Sequence, residues 1–193
     1  MSSRRNAEGL LEYGLDDWCH VGHQYENMMK CPLVVSDSTT CLSMCYKAEV
    51  MFRAIGKTLE ADYAHALHES IRAAFREHLV DSRFVVAGNC QTAQAMAIHY
   101  GVFDKAEIPQ AFSVLLKQIE VAGNKMDVGV LGARTLFRVL SSCCHTDLAY
   151  EMITTREFPS YAYWIHTMGA TSLLEDFTPY GVGILRSHNH HFW

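Results

Sequence analysis

Apolar positions along this chain recur three and four residues apart, and no stretch alternates long enough to read as a half-buried strand or a hairpin. Leu42, Tyr46, Val50 and Ile55 mark a helix over about 40–57, with Ser36-Asp37-Ser38 offering caps in front of it. Tyr63, Leu67, Ile71 and Phe75 are spaced by four and mark a second over about 59–79. Gly88-Asn89 breaks the chain before a third over about 91–100. A fourth spans about 108–121, with Pro109 in its first turn and Gly123-Asn124 past its end. Residues 130–142 and 146–155 make a fifth and a sixth, and a short aromatic seventh covers about 160–167. Short loops between these segments predict an all-α fold in which consecutive helices pair antiparallel into a curved array of α-hairpins.

Composition narrows the class without naming it. The 193 residues are 49% hydrophobic and 19% charged, enough for one globular domain with a sizeable core. A net charge of −5 gives no reason to expect nucleic acid or a membrane surface as a partner. No apolar run approaches the ~20 residues of a membrane span. Met1-Ser2-Ser3-Arg4-Arg5 is not followed by the apolar stretch of a signal peptide. Seven cysteines, odd in number and irregular in spacing, read as thiols in a reducing cytoplasm. No cofactor is expected. The histidines at 188, 190 and 191, and the group Cys19, His20 and His23, lack the one-face i, i+4 geometry of a helical zinc motif, so no metal site is assigned.

The chemistry is concentrated near the C-terminus. Phe158-Pro159-Ser160-Tyr161-Ala162-Tyr163-Trp164 is followed by Gly169-Ala170-Thr171-Ser172-Leu173-Leu174-Glu175 and by Ser187-His188-Asn189-His190-His191-Phe192-Trp193. Aromatic residues, one acid after a small-residue turn and a histidine cluster thus lie close together. This tail resembles the C-terminal part of the catalytic domain of bacterial α-L-rhamnosidases, glycoside hydrolase family 78. Further blocks follow in family order. Tyr13-Gly14-Leu15-Asp16-Asp17-Trp18 is similar to the family's Tyr-Gly-Leu-Gly-Asp-Trp, and Gln91-Thr92-Ala93 to its Ser-Gln-Thr-Ala helix start. Val128-Gly129-Val130-Leu131-Gly132 is similar to Thr-Gly-Phe-Leu-Gly, and Thr146-Asp147-Leu148-Ala149-Tyr150 to Thr-Asp-x-Ala-Tyr. Asp16 stands where the family usually has Gly, and Leu174 and Phe177 where it often has Trp.

The resemblance implies a fold, a reaction and a set of roles. The fold is an (α/α)6 barrel of twelve helices in six hairpins, of which this chain supplies about half. It reads as one helical domain, 1–193, the C-terminal portion of a larger catalytic domain, with the N-terminal half of the barrel as its missing partner. The reaction is inverting hydrolysis of terminal α-L-rhamnosides. Such enzymes hold two carboxyl groups about 6.5–9.5 Å apart, so that water fits between the base and the anomeric carbon. Glu175 matches the general base, and the general acid's motif lies upstream of every block present. His190 matches a histidine that bonds a sugar hydroxyl or orients the site; a packed or solvated histidine is the other reading. Asp17 and Trp18 match a sugar-binding pair, the carboxylate accepting from hydroxyls and the indole covering the apolar side of a deoxysugar. Tyr161, Tyr163 and Trp164 cannot all face one way on a short helix, and Tyr161 and Trp164 are taken as site-lining.

Three functions follow. The first is a glycosidase fragment of rhamnosidase type, inactive alone for want of its acid and prone to self-association through uncovered helix faces. The second is a related (α/α)6-barrel glycosidase for another sugar. The third is a non-catalytic helical-repeat scaffold, although no fixed repeat period is present.

Overall fold

The computed structural model describes residues 4–14, 16–22, 29–175, 177, 187 and 189. Seven helices occur among them: α1 Leu33–Ala54, α2 Thr58–Leu79, α3 Gln91–His99, α4 Ile108–Val121, α5 Val130–Ser142, α6 Thr146–Thr154 and α7 Tyr161–His166. No sheet forms among the described residues, only isolated bridges pairing Arg5 with Leu11 and Val80 with Val86.

Helix α1 begins earlier than its expected start near residue 40. Pro32 precedes its first turn, and Ser36, Asp37 and Ser38 lie inside it rather than before it. The hydroxyls there need no cap role: Ser36 donates to the Leu33 carbonyl at 3.1 Å and Thr39 to that of Val35 at 2.7 Å. Asp37 instead accepts the backbone N–H groups of Tyr13 and Gly14, each at 2.6 Å, and Ser38 accepts that of Leu11 at 3.0 Å. A polar triplet that reads as a helix start is therefore the surface on which the N-terminal segment docks.

Consecutive helices form antiparallel hairpins. Across α1 and α2, Arg53 meets Asp62 at 3.2 Å while His65 meets Glu49 at 3.1 Å, so one sequence rises as the other falls. Across α3 and α4, the Gln94 amide reaches the Ala111 carbonyl at 3.0 Å and Gln118 reaches Asn89 at 3.0 Å. A three-residue turn folds α6 back on α5. The first helices of the three hairpins then lie side by side, α1 on α3 and α3 on α5.

Helix α3 is the centre of this row. Every residue from Gln91 to Ile98 is buried. Alanines at 93, 95 and 97 let its neighbours come close, and its polar side chains are spent on the backbone. Gln91 accepts from Asp127 N–H and donates to the Lys125 carbonyl, both at 3.0 Å. Gln94 accepts from Val86 N–H at 3.1 Å and donates to Phe84 at 2.9 Å. Such bonds remove the cost of burying an amide. The core around it includes Leu42, Ile71, Phe75, Met96, Leu115, Leu136 and Leu140, all fully buried. The apolar stripe of α1 is buried only at its start: Tyr46, Val50 and Ile55 are 61%, 51% and 68% exposed.

Candidate active site

The N-termini of α3 and α5 point to the same end of the helix row, and the loop from Asp16 to Val21 is fastened there. Asp17 is the fastening. Its Oδ2 accepts the Thr92 hydroxyl and the Gly129 N–H at 2.7 Å, and its Oδ1 accepts the Gly132 N–H at 2.9 Å. A carboxylate on the first N–H groups of a helix satisfies donors that have no intrahelical partner and complements the helix dipole. The same loop returns backbone bonds: Val130 N–H donates to the Trp18 carbonyl at 2.9 Å and Val21 N–H to Val128 at 3.3 Å. Both glycines are required by this approach. A Cβ on Gly129 would strike the Asp17 and Trp18 carbonyl oxygens, and one on Gly132 would strike the Thr92 hydroxyl.

Asp17 is thus 2% exposed, with both oxygens occupied by protein donors. That placement differs from the expected one, in which its carboxylate accepts sugar hydroxyls; it holds the loop instead. Burial pushes its carboxyl above the usual range, against the pull of the Thr92 and backbone hydrogen bonds. Asp16 also finds an explanation. It has φ of 66°, the left-handed region that favours glycine, and its Oδ1 accepts its neighbour's N–H at 2.7 Å.

Trp18 follows directly and is 42% exposed. Its Nε1–H donates to Glu175 Oε1 at 3.1 Å, with Cys19 Sγ at 4.0 Å from the same oxygen. The other oxygen, Oε2, accepts Ser187 N–H at 2.7 Å, and Glu175 N–H donates to the Ser187 carbonyl at 2.9 Å. Glu175 therefore stands half-buried between two segments far apart in sequence, its carboxylate plane set by an indole on one side and a backbone amide on the other. Ser187 was not singled out in the sequence; its signal is only that it opens the segment containing the histidines. His190 lies outside the described residues.

An aromatic stack joins α7 to Phe177, two residues past Glu175. Trp164 is 1% exposed and lies on Phe177 with ring centroids 4.3 Å apart and planes 16° from parallel. Tyr161 stacks on the other neighbours, 5.3 Å from Trp164 and 6.4 Å from Phe177. Burial pushes its phenol well above the usual value. Trp164 consequently packs, and has no open face of the kind expected of a sugar platform; Tyr161 is partly buried in the same stack. Leu174 and Phe177 are both buried here. Ser160 caps α7 by accepting Tyr163 N–H at 2.9 Å, and Ala170 N–H returns to the Trp164 carbonyl at 2.9 Å.

No group of three or more histidine, cysteine, aspartate or glutamate side chains suited to a metal ion occurs among the described residues. No disulfide joins the seven cysteines. No helix of the described residues is long and apolar enough to cross a membrane.

Three hairpins of antiparallel helices thus hold the Glu175 carboxylate at one end of the row formed by α1, α3 and α5. The sequence pattern of the bacterial alpha-L-rhamnosidase 6 hairpin glycosidase domain matches residues 1–193, and the chain belongs to that family. It is 33% identical over 176 residues to an alpha-L-rhamnosidase of Streptomyces avermitilis, covering 89% of this chain and 16% of that protein. Against an alpha-L-rhamnosidase of Formosa agariphila it is 26% identical over 168 residues, or 82% of this chain and 17% of the other. The crystal structure of the Streptomyces avermitilis alpha-L-rhamnosidase complexed with L-rhamnose superposes with a TM-score of 0.84 at 27% identity, over 98% of this chain and 18% of that one. The native enzyme from Aspergillus terreus shares the fold, with a TM-score of 0.86 at 22% identity over 96% of this chain and 23% of its own. The chain therefore spans about a sixth of the length of these curated relatives.

Proposed function

We propose that this chain is the base-bearing portion of an inverting α-L-rhamnosidase, with Glu175 as the carboxylate that takes a proton from the attacking water. The observation that carries the reading is the junction of Trp18 with Glu175. Two motif blocks at opposite ends of the chain meet at one carboxyl group, and that group is held at an end of the helix row rather than loose in solvent. A base must have a fixed direction to catalyse. The Trp18 indole and the Ser187 amide supply it, and Asp17 acts one step back as a positioning residue by fixing the loop that carries Trp18. The open portion of the Trp18 ring suits the apolar side of a deoxysugar. His190 is assigned to a sugar hydroxyl by resemblance alone.

The general acid belongs to a segment upstream of the blocks present here, in the remainder of a barrel of which 1–193 is the C-terminal portion. The uncovered residues Val50, Met51 and Ile55 at the end of α1 support this, since a further hairpin would bury them. The rhamnosidase relatives favour rhamnose over another sugar and an enzyme over a scaffold. The test is a panel of aryl glycosides assayed with the longer protein that contains these residues and with the 193-residue chain alone. Turnover of the α-L-rhamnoside by the longer protein only is the expected result. Strong turnover by the isolated chain would place the acid within it and overturn this division of labour. Preference of the longer protein for another glycoside would overturn the sugar.

A further inference from the structure

A pocket lies away from Glu175. It is a cavity of about 450 Å³ where α3 ends, with α1 on one side and α5 on the other. With a rise of 1.5 Å per residue, the nine residues of α3 put it about 13 Å along that helix's axis from the Asp17 fastening, at the opposite end of α3. Helix α3 has only nine residues and α1 has 22, so α1 overhangs and leaves the notch. The walls are Ser43 and Lys47 from α1, His68 from α2, His99 at the end of α3, and Arg134 and Arg138 from α5. Ser43 and Lys47 share one helix face, as do Arg134 and Arg138, because each pair is four residues apart.

What sets these cations apart is the company they lack. Arg53, Arg72, Arg76 and Arg83 each meet a carboxylate within 3.2 Å. Among the described residues, no ion pair joins a carboxylate to Lys47, Arg134 or Arg138, and no acidic side chain lines the cavity. The nearest acid in sequence, Glu69, is turned to His68 at 2.9 Å. Burial, with Arg138 and Lys47 beside it, pushes His99 below its ordinary value, so its imidazole stands among the cations as a neutral hydrogen-bonding group. Three positively charged side chains, each exposed, border one concavity in a chain whose net charge is −5.

We propose that this cavity binds a small, multiply charged oxyanion: a phosphate ester or a polycarboxylate whose negative oxygens reach Arg134, Arg138 and Lys47 together. A volume of this order suits a small organic ligand. Guanidinium groups on two adjacent turns can each offer a two-pronged bond to one oxyanion, with the Ser43 hydroxyl and the His99 imidazole adding neutral donors. The site is independent of Glu175, and neither assignment needs the other.

The test is calorimetric titration at low ionic strength with inorganic phosphate and, separately, citrate. It is run on the 193-residue chain and on the longer protein that contains it. Saturable one-site binding of either probe to both is expected, weakening as salt is added. The probe bound more tightly tells a phosphate ester from a polycarboxylate. Arg134→Gln and Arg138→Gln should each weaken binding about tenfold or more, as the loss of a charge-assisted bond requires. Lys47→Gln does the same from a different helix, so the result does not rest on α5 alone. Arg83→Gln, remote from the cavity, should leave affinity unchanged. Absence of saturable binding by both probes, or equal affinity in the three cavity variants, overturns the proposal. So does binding confined to the isolated chain, because the cations would then serve ion pairs with another part of the longer protein.

Discussion

Replacing Asp17 by asparagine keeps the shape of the side chain and changes only its charge and one acceptor. The consequence follows from the geometry. Oδ1 faces the Gly132 N–H, while Oδ2 faces the Gly129 N–H and the Thr92 hydroxyl. An amide can keep only one oxygen. If it faces Gly129, the NH₂ meets the Gly132 N–H; if it faces Gly132, the NH₂ meets the Gly129 N–H. Thr92 can turn its hydroxyl to accept, but a backbone amide cannot. Either way a buried N–H loses its acceptor, at about 1–3 kcal/mol, and the remaining bonds lose their charge assistance, at about 1 kcal/mol each. Removing a buried carboxylate returns part of this, as the upward push on its carboxyl indicates. The net expectation is a loss of about 2–4 kcal/mol, a large share of the ~5–15 kcal/mol that holds a domain together. Urea unfolding followed by far-UV circular dichroism measures it as a lowered midpoint with an unchanged slope. Thr92→Val should couple to it, the double variant losing less than the sum of the singles by at least about 0.5 kcal/mol. An Asp17→Asn variant within about 0.5 kcal/mol of the parent would refute the view that this carboxylate fastens the loop.

Four further outcomes are expected. Gly129→Ala drives a Cβ into two backbone carbonyls and should cost about 1–3 kcal/mol, with altered tryptophan fluorescence as Trp18 shifts; wild-type stability would contradict the close approach. Asp16→Gly removes a side chain from a left-handed residue and should leave the unfolding midpoint unchanged or raised, a clear drop being the contrary result. Trp164→Ala should cost about 3–5 kcal/mol in the same unfolding assay, because the ring is core; a loss of sugar affinity without loss of stability would return it to the sugar site. Arg76 grips Glu107 with two bonds of 2.7 Å and holds its carboxyl down to about 2. A depressed carboxylate stabilises the fold above its unfolded value near 4.5 and loses that contribution as pH falls through about 2. Glu107→Gln should therefore unfold at lower urea than the parent at neutral pH and equally near pH 2, and a difference that persists unchanged in acid would show that the ion pair is not its source.

The hairpin array was legible because apolar residues at helical spacing and short breaks at Gly88-Asn89 and Gly123-Asn124 leave few other ways to bury the chain. The start of α1 was not, because Ser36, Asp37 and Ser38 look like caps whether they precede a helix or serve a segment docked on it. The resemblance pointed to Glu175, and the Trp18 that donates to it came from a second motif block. The division of roles was hidden. A motif places Asp17 beside Trp18 but cannot say which faces solvent; only the approach of Gly129 and Gly132 decides that the acid is buried. Trp164 sits on a helix of six residues, too short for periodicity to reveal its inward face. The cations of the cavity where α3 ends come from α1 and α5, distant in sequence, and nothing in either segment announces the other.

We propose Glu175, held by Trp18 and Ser187, as the base of a rhamnosidase. The most direct test of that role is the turnover of an aryl α-L-rhamnoside by the longer protein with Glu175→Gln, beside the parent. The expected result is a kcat lower by about 10²–10⁴-fold with KM changed little, the signature of a lost general base. A variant that turns over at the parent's rate would remove Glu175 from the chemistry.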